Sequence, residues 1–128
     1  MSGFCHLHLH TEYSLLDGVS KIKAVLDKAK SSGMNSCAIT DHGVMYGTFE
    51  FWSYAHEIGI KPILGCEVYV ATGSRKEKKR NEDGKNYFHL TLLAKNREGY
   101  SNLVKLVSLG HKEGFYYKPR VDRELLSQ

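Results

Sequence analysis

Polar and apolar residues alternate at the beginning of the chain, over residues 4–10. Such alternation is typical of a β-strand with one buried face, because successive side chains of a strand point to opposite sides. The two faces would carry different side chains, with Cys5, Leu7 and Leu9 on one and His6, His8 and His10 on the other. The pattern therefore predicts a first strand that collects three imidazoles on one side.

The next segments change period and indicate helices between strands. Ser20 is placed to cap a helix that ends at Gly33, with apolar positions at helical spacing: Ile22, Val25, Leu26 and Ala29. A buried strand at Ser36–Thr40, a helix at Gly47–Ile58 and a strand at Ile63–Ala71 follow. The inward positions of this second helix are predicted as Phe51, Tyr54, Ala55 and Ile58. Strands that alternate with helices predict an α/β fold built on parallel βαβ units.

A polar loop then interrupts the alternation. Thr72–Asn86 has no helical periodicity, although the apolar segment after it, Tyr87–Ala94, has the character of a strand. A connection of this kind does not suit a parallel crossover, so it predicts an antiparallel hairpin around the 72–86 loop. Asn96 would cap a further helix, whose core face is expected at Leu103, Val104, Leu106 and Val107. A last helix would begin at Asp122, and we expect the chain to be part of a larger domain.

Composition narrows the class of protein. The 128 residues are 41% hydrophobic and 25% charged with a net charge of +4, which is typical of a globular chain rather than a disordered one. No apolar run approaches the roughly 18 residues of a membrane span, and the N-terminus lacks the features of a secretory signal. Cys5, Cys37 and Cys66 are odd in number and well separated, which favours reduced thiols and a cytoplasmic location.

Histidines and carboxylates stand where predicted strands end. His8 and His10 would lie about 6.5 Å apart on one face, close enough to share an ion or a pair of ions. His42 follows the second strand, Glu67 lies in the third, and Asp17 is in the turn after the first. The carboxyl ends of parallel strands meet at one edge of a sheet, which is where α/β folds place their sites. The alternative is an ordinary exposed polar face.

His89 tests the metal hypothesis, since it stands near the start of its strand. In a parallel sheet it would point to the opposite edge, whereas the predicted hairpin returns it beside Glu67. Such a set of imidazoles and carboxylates would suit zinc, manganese or iron. Cys66 would be an additional soft ligand, but its neighbour Glu67 points the other way along a strand. The remaining histidines are interpreted as packing or surface residues: His6, His56 and His111.

The 72–86 loop carries six basic residues against three acidic ones, a net charge of +3. A basic loop beside a metal site could bind the phosphates of a nucleic acid. The candidate phosphate-binding residues are Arg75, Lys76, Lys78, Lys79 and Arg80. The alternative is a solvated hairpin tip, and no aromatic residue lies between the charges to stack on bases.

Several stretches resemble a known family. Residues 8–18 (HLHTEYSLLDG) and 40–43 (TDHG) are similar to the opening of the polymerase and histidinol phosphatase (PHP) superfamily. Three more stretches narrow the resemblance to the N-terminal region of the bacterial DNA polymerase III alpha-subunit family: residues 59–67 (GIKPILGCE), 87–94 (YFHLTLLA) and 114–120 (GFYYKPR). The likeness covers essentially the whole chain.

The resemblance implies the first part of a distorted seven-stranded, TIM-like β/α barrel, with residues 1–128 as the N-terminal portion of a PHP domain. The family's domain holds up to three divalent metal ions, with zinc or manganese expected. By motif position its ligands fall on His8, His10, Asp17, His42, Glu67 and His89. The resemblance assigns the family's remaining ligands, a Cys or His and an Asp-x-His pair, to strands that this sequence does not contain, and no Asp-x-His occurs in it. Partial or absent metal occupancy is therefore expected, together with self-association through an uncovered strand edge.

The resemblance implies that the domain is a metal-dependent phosphoesterase. The reaction we expect is removal of terminal nucleotides from DNA in the 3′–5′ direction. Bound ions would lower the pKa of water toward ~7 and stabilise the oxygens of the phosphoryl group. The expected partners are DNA and other DNA polymerase III holoenzyme subunits. Polymerase activity itself would reside in regions absent from this sequence. Two alternatives remain: a structural scaffold that docks a proofreading subunit, and a small-molecule phosphatase of the histidinol phosphatase type.

Overall fold

The computed structural model describes residues 3–15 and 17–128. The helices in these residues are α1 (Ile22–Ser31), α2 (Thr48–Ile58), α3 (Arg97–Glu113) and α4 (Arg123–Leu126). The strands are β1 (Ser36–Ile39), β2 (Lys61–Ala71), β3 (Tyr87–Leu93), β4 (Phe115–Tyr116) and β5 (Lys118–Val121). Helices and strands alternate through β2, which confirms the predicted α/β class. None of these helices combines the length and apolar character needed to cross a membrane.

The long strand β2 organises the sheet. Its first four residues, 61–64, pair in parallel with β1, and its last seven, 65–71, pair antiparallel with β3. Tyr69 and Val70 also pair in parallel with β5. The antiparallel hairpin predicted around the 72–86 loop is therefore confirmed. Because β2 is covered on both of its faces, consecutive residues such as Cys66 and Glu67 are both buried.

Two apolar clusters hold the helices against the sheet. The first joins α1, β1 and α2, where Ile22, Leu26, Phe51 and Ala55 are fully buried at helical spacing. The second joins β2, α3 and β5 around Cys66, Val68, Leu103 and Val121. Of the core face predicted for α3, Leu103 is buried and Leu106 and Val107 pack against the cluster, whereas Val104 is exposed.

The strand predicted over residues 4–10 is wrong. The backbone N–H of Ala38 donates to the carbonyl of His6 (2.8 Å), and that of Thr40 donates to Leu9 (2.9 Å). The donors Ala38 and Thr40 are two residues apart, whereas the acceptors His6 and Leu9 are three residues apart. The N-terminal segment therefore contains one extra residue, as in a β-bulge. The N–H of Leu9 donates instead to the Thr40 hydroxyl (2.7 Å). This extra residue breaks the predicted alternation, and Leu7 is 49% exposed rather than buried.

Helix caps were predicted with mixed success. Asn96 accepts a hydrogen bond from the Gly99 N–H, so the predicted N-cap of α3 is confirmed. The last helix was predicted to begin at Asp122, and Asp122 is its N-cap, where its side chain accepts from the Leu125 N–H. Ser20 is not a cap, since α1 begins after Lys21 and no side chain bonds to its first turn. The short strands β4 and β5 were not predicted. The single residue Tyr117 connects them, in a left-handed conformation with φ +61°.

Two buried arginines anchor the 72–86 loop. Arg75 donates to Glu113, Asp122 and Glu124 from α3 and α4, and its backbone N–H also donates to Asp122. Arg120, which is 1% exposed, donates to the backbone carbonyls of Arg75, Glu77 and Asn86 within the loop, and to that of Gly114 outside it. The first part of the 72–86 loop, which has no regular secondary structure, is therefore attached to the rest of the domain by Arg75 and Arg120.

Gly114, at the end of α3, is expected to be intolerant of any side chain. A Cβ there would lie 1.8 Å from the carbonyl oxygen of Arg120, whereas a Cβ at Gly99, in the first turn of the same helix, would make ordinary contacts at 3.6 Å. We predict that Gly114→Ala lowers the free energy of unfolding by about 3 kcal/mol. Gly99→Ala should raise it by about 0.5 kcal/mol, since alanine favours the helix. Urea unfolding of both variants tests the pair, and equal stabilities would contradict it.

Asp122 makes stability depend on acid pH. Burial opposes its ionisation, but the N–H groups of Arg75 and Leu125 and the Arg75 guanidinium outweigh burial and hold its pKa below the ordinary value. The resulting stabilisation is present above pH ~4, the unfolded pKa range, and is lost as pH falls through the lower folded pKa. Asp122→Asn keeps a cap but not the charge. We expect it to cost about 2 kcal/mol at pH 7 and progressively less below pH 4 in denaturant titrations.

Candidate metal centre

The site is built around the carboxylate of Glu67, in the middle of β2. Its side chain is only 6% exposed and lies among four imidazoles. Glu67 Oε2 contacts His8 Nε2, lies 2.6 Å from His10 Nε2 and lies 3.7 Å from His42 Nε2. Glu67 Oε1 lies 3.4 Å from His89 Nδ1. Side chains separated by up to 81 positions in the sequence therefore meet at one carboxylate.

The N-terminal segment brings in His8 and His10. It is held by Asp41, a buried residue two positions after the end of β1, whose carboxylate accepts from the Thr11 N–H (2.5 Å) and the Thr11 hydroxyl (2.8 Å). Burial raises the pKa of Asp41, against the lowering effect of these two bonds. Despite the bulge, both imidazoles reach Glu67 because this clamp fixes the residue that follows His10.

His42 and Asp17 form the second part of the site. The ring Nε2 of His42 lies 2.6 Å from Asp17 Oδ2, and Asp17 is oriented through its other oxygen by the Ser14 hydroxyl (2.7 Å). The same hydroxyl accepts from the His42 backbone N–H (3.1 Å). The turn that carries Asp17 closes at Gly18, where a Cβ would lie 1.9 Å from the Thr11 carbonyl oxygen. Glycine is therefore required for Asp17 to approach His42.

The hairpin brings in His89, which pairs with Tyr69 across β2 and β3. Tyr69 lies two residues after Glu67 on the same side of β2, and its ring stacks on His42 with centroids 5.5 Å apart. It also meets His89 edge to face at 5.3 Å and Tyr87 at 4.9 Å. Burial, together with the nearby Tyr87, raises the pKa of Tyr69 to about 12, so Tyr69 serves as a neutral aromatic wall.

The electrostatics keep the carboxylate charged and one imidazole neutral. Burial opposes ionisation of Glu67, but the hydrogen bonds from His8 and His10 outweigh it, so the pKa of Glu67 is lowered. Burial also lowers the pKa of His42, more than Glu67 and Asp17 raise it. An ionised carboxylate beside a neutral imidazole is the protonation state that a divalent ion requires of its ligands.

The donor set fits divalent metal ions. Three groups each have ligand atoms within 4.8 Å of one another: His8–His10–Glu67, His10–Asp17–His42 and His42–Glu67–His89. The Nε2 atoms of His8 and His10 lie 3.2 Å apart and both face Glu67 Oε2. Ligands that each lie about 2.1 Å from a shared zinc ion would stand at about that separation. In addition, the buried His42 Nδ1 makes no hydrogen bond within the described residues.

All six side chains singled out in the sequence as metal ligands therefore lie together. Asp41 and Tyr69 were missed, although Tyr69 is spaced two residues from Glu67, which is a signal for a shared face of a strand. Cys66 is buried, its thiol donates to the Asp41 carbonyl, and burial raises its pKa to about 12, so it stands apart from the ligand groups. The remaining histidines also lie elsewhere: His6 against Phe4, His56 on Trp52, and His111 on the Gly43 carbonyl.

The basic loop is divided between two environments. Lys76, Lys78, Lys79 and Arg80 are exposed, as a phosphate-binding surface requires. Arg75, which was also predicted to bind phosphate, is instead 6% exposed and occupied by three carboxylates. Its position at the base of the loop explains the difference, since a buried guanidinium must be paired. Arg75 therefore holds the loop and does not face a ligand.

Metal binding should stabilise the protein through Glu67. At zinc or manganese concentrations about 100 times the Kd, binding adds about 2.7 kcal/mol, which corresponds to a rise in Tm on the order of 10 °C. We predict that Glu67→Gln removes most of this rise, because the shared charged ligand is lost. Glu12→Gln, an exposed glutamate in the same part of the chain, is the control and should keep it. Differential scanning calorimetry with and without metal tests this, and equal shifts in both variants would contradict it.

Comparison with known proteins agrees with this geometry. The family model described as "PHP domain" matches residues 6–128. The chain is 50% identical over 127 residues to the DNA polymerase III subunit alpha of Borreliella burgdorferi, covering 99% of this chain and 11% of that protein. It is 51% identical over 132 residues to the protein of the same name from Deinococcus radiodurans, covering 98% and 10%. The chain thus spans about a tenth of the length of these relatives.

Solved structures show a related fold. A protein assigned as a metal-dependent phosphoesterase from Bifidobacterium adolescentis superposes with a TM-score of 0.55 at 22% identity, over 84% of this chain and 34% of that one. An amidohydrolase from Chromobacterium violaceum, solved with bound sulfate and no metal, gives 0.55 at 25% identity, over 80% and 32%. These neighbours are consistent with part of a TIM-like fold. With the family model matching nearly the whole chain, this protein belongs to the PHP domain family.

Proposed function

We propose that this chain forms the metal-binding part of a PHP phosphoesterase that removes nucleotides from the 3′ end of DNA. The observation that carries the proposal is the sharing of ligands: Glu67, His10 and His42 each belong to two of the three groups. Shared ligands would bring neighbouring ions close together, an arrangement typical of enzymes that cleave phosphate esters. Zinc or manganese is the proposed metal, because the donors are imidazoles and carboxylates.

In this proposal the six side chains hold the metal rather than attack the substrate. His8, His10 and Glu67 would hold one ion, and Asp17, His42 and His89 would complete the others. Bound divalent ions lower the pKa of water and offset charge on the phosphate oxygens. The protein's own part is to keep these ligands oriented, through the bond of Asp41 to Thr11 and that of Ser14 to Asp17. The rings of Tyr69 and Tyr87, which meet edge to face, pack beside His42 and His89 on one side of the ligands.

The relatives supply the proposed setting. They bear the name DNA polymerase III subunit alpha. We therefore propose that the chain is the N-terminal PHP portion of such a subunit in the cytoplasm, with DNA and other holoenzyme subunits as partners. The barrel of seven strands belongs to the same proposal, as does self-association through β3. That strand pairs with β2 alone among the described strands, and it exposes Phe88, Leu90 and Leu93.

A scaffold role is the second candidate, and one observation favours it. The candidate ligands come from four separate segments: the N-terminal segment and its turn, the loop after β1, the middle of β2, and β3. A metal held by all of them would cross-link most of the domain and steady it for docking a proofreading subunit. Such a role needs the metal but no hydrolysis. Metal content and nuclease activity therefore separate the two candidates.

The double variant His8→Ala/His10→Ala tests the proposed activity. It removes two nitrogen ligands of one ion, so bound metal should fall by at least one equivalent and release of nucleotides from a 3′-labelled oligonucleotide should fall by at least 100-fold. His6→Ala is the matched control, because His6 lies on the same segment and its ring contacts Phe4 rather than the carboxylates. Metal analysis and gel assays give both readouts.

Three outcomes would change the assignment. Nuclease activity that survives the double change would mean that it arises elsewhere. Metal lost from the double variant, with no nuclease activity in the unmodified protein, would favour the scaffold. Hydrolysis of histidinol phosphate in preference to the oligonucleotide would place the chain among small-molecule phosphatases.

A further inference from the structure

We propose that Lys118 is a substrate-binding residue of the candidate metal centre, where its ammonium group holds a phosphate oxygen of the DNA strand. The inference rests on the proposed function, and it names a cationic group that the metal ligands themselves do not include. Lys118 begins β5 and belongs to the stretch Gly114–Arg120, which takes no part in metal ligation.

Contacts place Lys118 beside the ligands. Its Nζ lies 5.5 Å from the centroid of the Tyr69 ring, the same ring that stacks on His42 and meets His89 edge to face. The next residue, Pro119, packs against Gly43, which directly follows His42. A Cβ on Gly43 would lie 2.9 Å from both Pro119 Cγ and the Tyr69 ring. One residue of β5 therefore touches the segment of His42, and its neighbour lies over the aromatic wall of the site.

Within the part of the chain that the structure describes, Lys118 has no carboxylate partner. The ion pairs among residues 3–15 and 17–128 do not include it, although it is partly buried. Arg75 is paired with three carboxylates, and Arg120 is occupied by backbone carbonyls. A cation that is fixed beside a site of phosphate chemistry, and has no carboxylate of its own, is suited to bind an anionic oxygen of the substrate.

The backbone gives a second, independent indication. Tyr116 and Lys118 are paired across β4 and β5, so Tyr117 alone makes the turn and takes φ +61°, a conformation that side chains other than glycine rarely adopt. Strain of this kind is concentrated at binding and catalytic sites. Here it reverses the chain immediately before Lys118. The ring of Tyr117 is also 5.9 Å from the Arg80 guanidinium, which brings the basic loop to the same edge.

The test measures hydrolysis of oligothymidylate by the metal-loaded protein over a series of salt concentrations. Lys118→Met keeps a long apolar side chain against Tyr69 but removes the charge. We expect KM to rise about tenfold, while kcat stays within twofold and the metal content does not change. The slope of log KM against log salt concentration should fall by about one, which corresponds to the loss of one phosphate contact. Lys118→Arg should restore most of the affinity. Lys23→Met is the matched control, since Lys23 lies 5.2 Å from the Tyr54 ring, remote from the candidate ligands.

The results separate this inference from the proposed function. If the unmodified protein hydrolyses oligothymidylate and Lys118→Met keeps its KM and its salt dependence, the role of Lys118 is rejected and the function stands. If the unmodified protein hydrolyses no phosphodiester, the function is rejected. Binding of thymidine 5′-monophosphate to the metal-loaded protein, measured by calorimetry, then decides the inference. A tenfold weaker affinity for Lys118→Met supports it, and an affinity equal to that of Lys23→Met overturns it.

Discussion

A buried carboxylate sets the terms for the rest of this structure. Glu67 is placed in the middle of a strand that is covered on both faces, where an ionised group is costly unless opposite charges or donors surround it. The chain meets this demand with imidazoles from three other segments, which surround the carboxylate. The fold and the site therefore depend on each other, because the segments that carry His8, His42 and His89 all meet at the carboxylate of Glu67.

The strand β2 makes this convergence geometrically feasible. Its early residues follow β1 in parallel, and this pairing continues past the strand as a bridge between His42 and Glu67. Its later residues pair antiparallel with β3, because the chain reverses direction in the hairpin between the two strands. Gly65 lies where the two arrangements meet, and a Cβ there would be 2.4 Å from the Leu92 carbonyl oxygen. The absence of a side chain at Gly65 therefore lets β3 approach β2 closely. Because β3 runs antiparallel to β2, His89 near the start of β3 lies beside Tyr69 near the end of β2, close to Glu67.

How much could be predicted follows from the range of each interaction. Periodicity is local, so α1, α2, β2 and the hairpin were within reach of the sequence, and the hairpin in turn placed His89 near Glu67. The bulge between His6 and Leu9 involves the Thr40 hydroxyl, about 30 positions away, and no pattern in residues 4–10 indicates it. The strand β5 is four residues long and contains Pro119, which disfavours a strand by composition. The burial of Arg75 depends on carboxylates about 40 to 50 positions later.

The same long-range contacts change what net charge means for function. The 72–86 loop is strongly basic, with six basic residues against three acidic ones. From composition alone, all of its basic side chains would be expected to be available to a phosphate ligand. In the structure, however, the Arg75 guanidinium is paired with carboxylates of the domain. Arg120, which lies outside the loop, donates hydrogen bonds to backbone carbonyls of the loop. A guanidinium that is paired within the fold is unavailable to a phosphate. Lys118, by contrast, has no carboxylate partner among the described residues and lies beside the ring of Tyr69, which contacts His42 and His89. Electrostatic recognition in this domain is therefore decided by which cations remain unpaired after folding, and not by where cations are most numerous in the sequence.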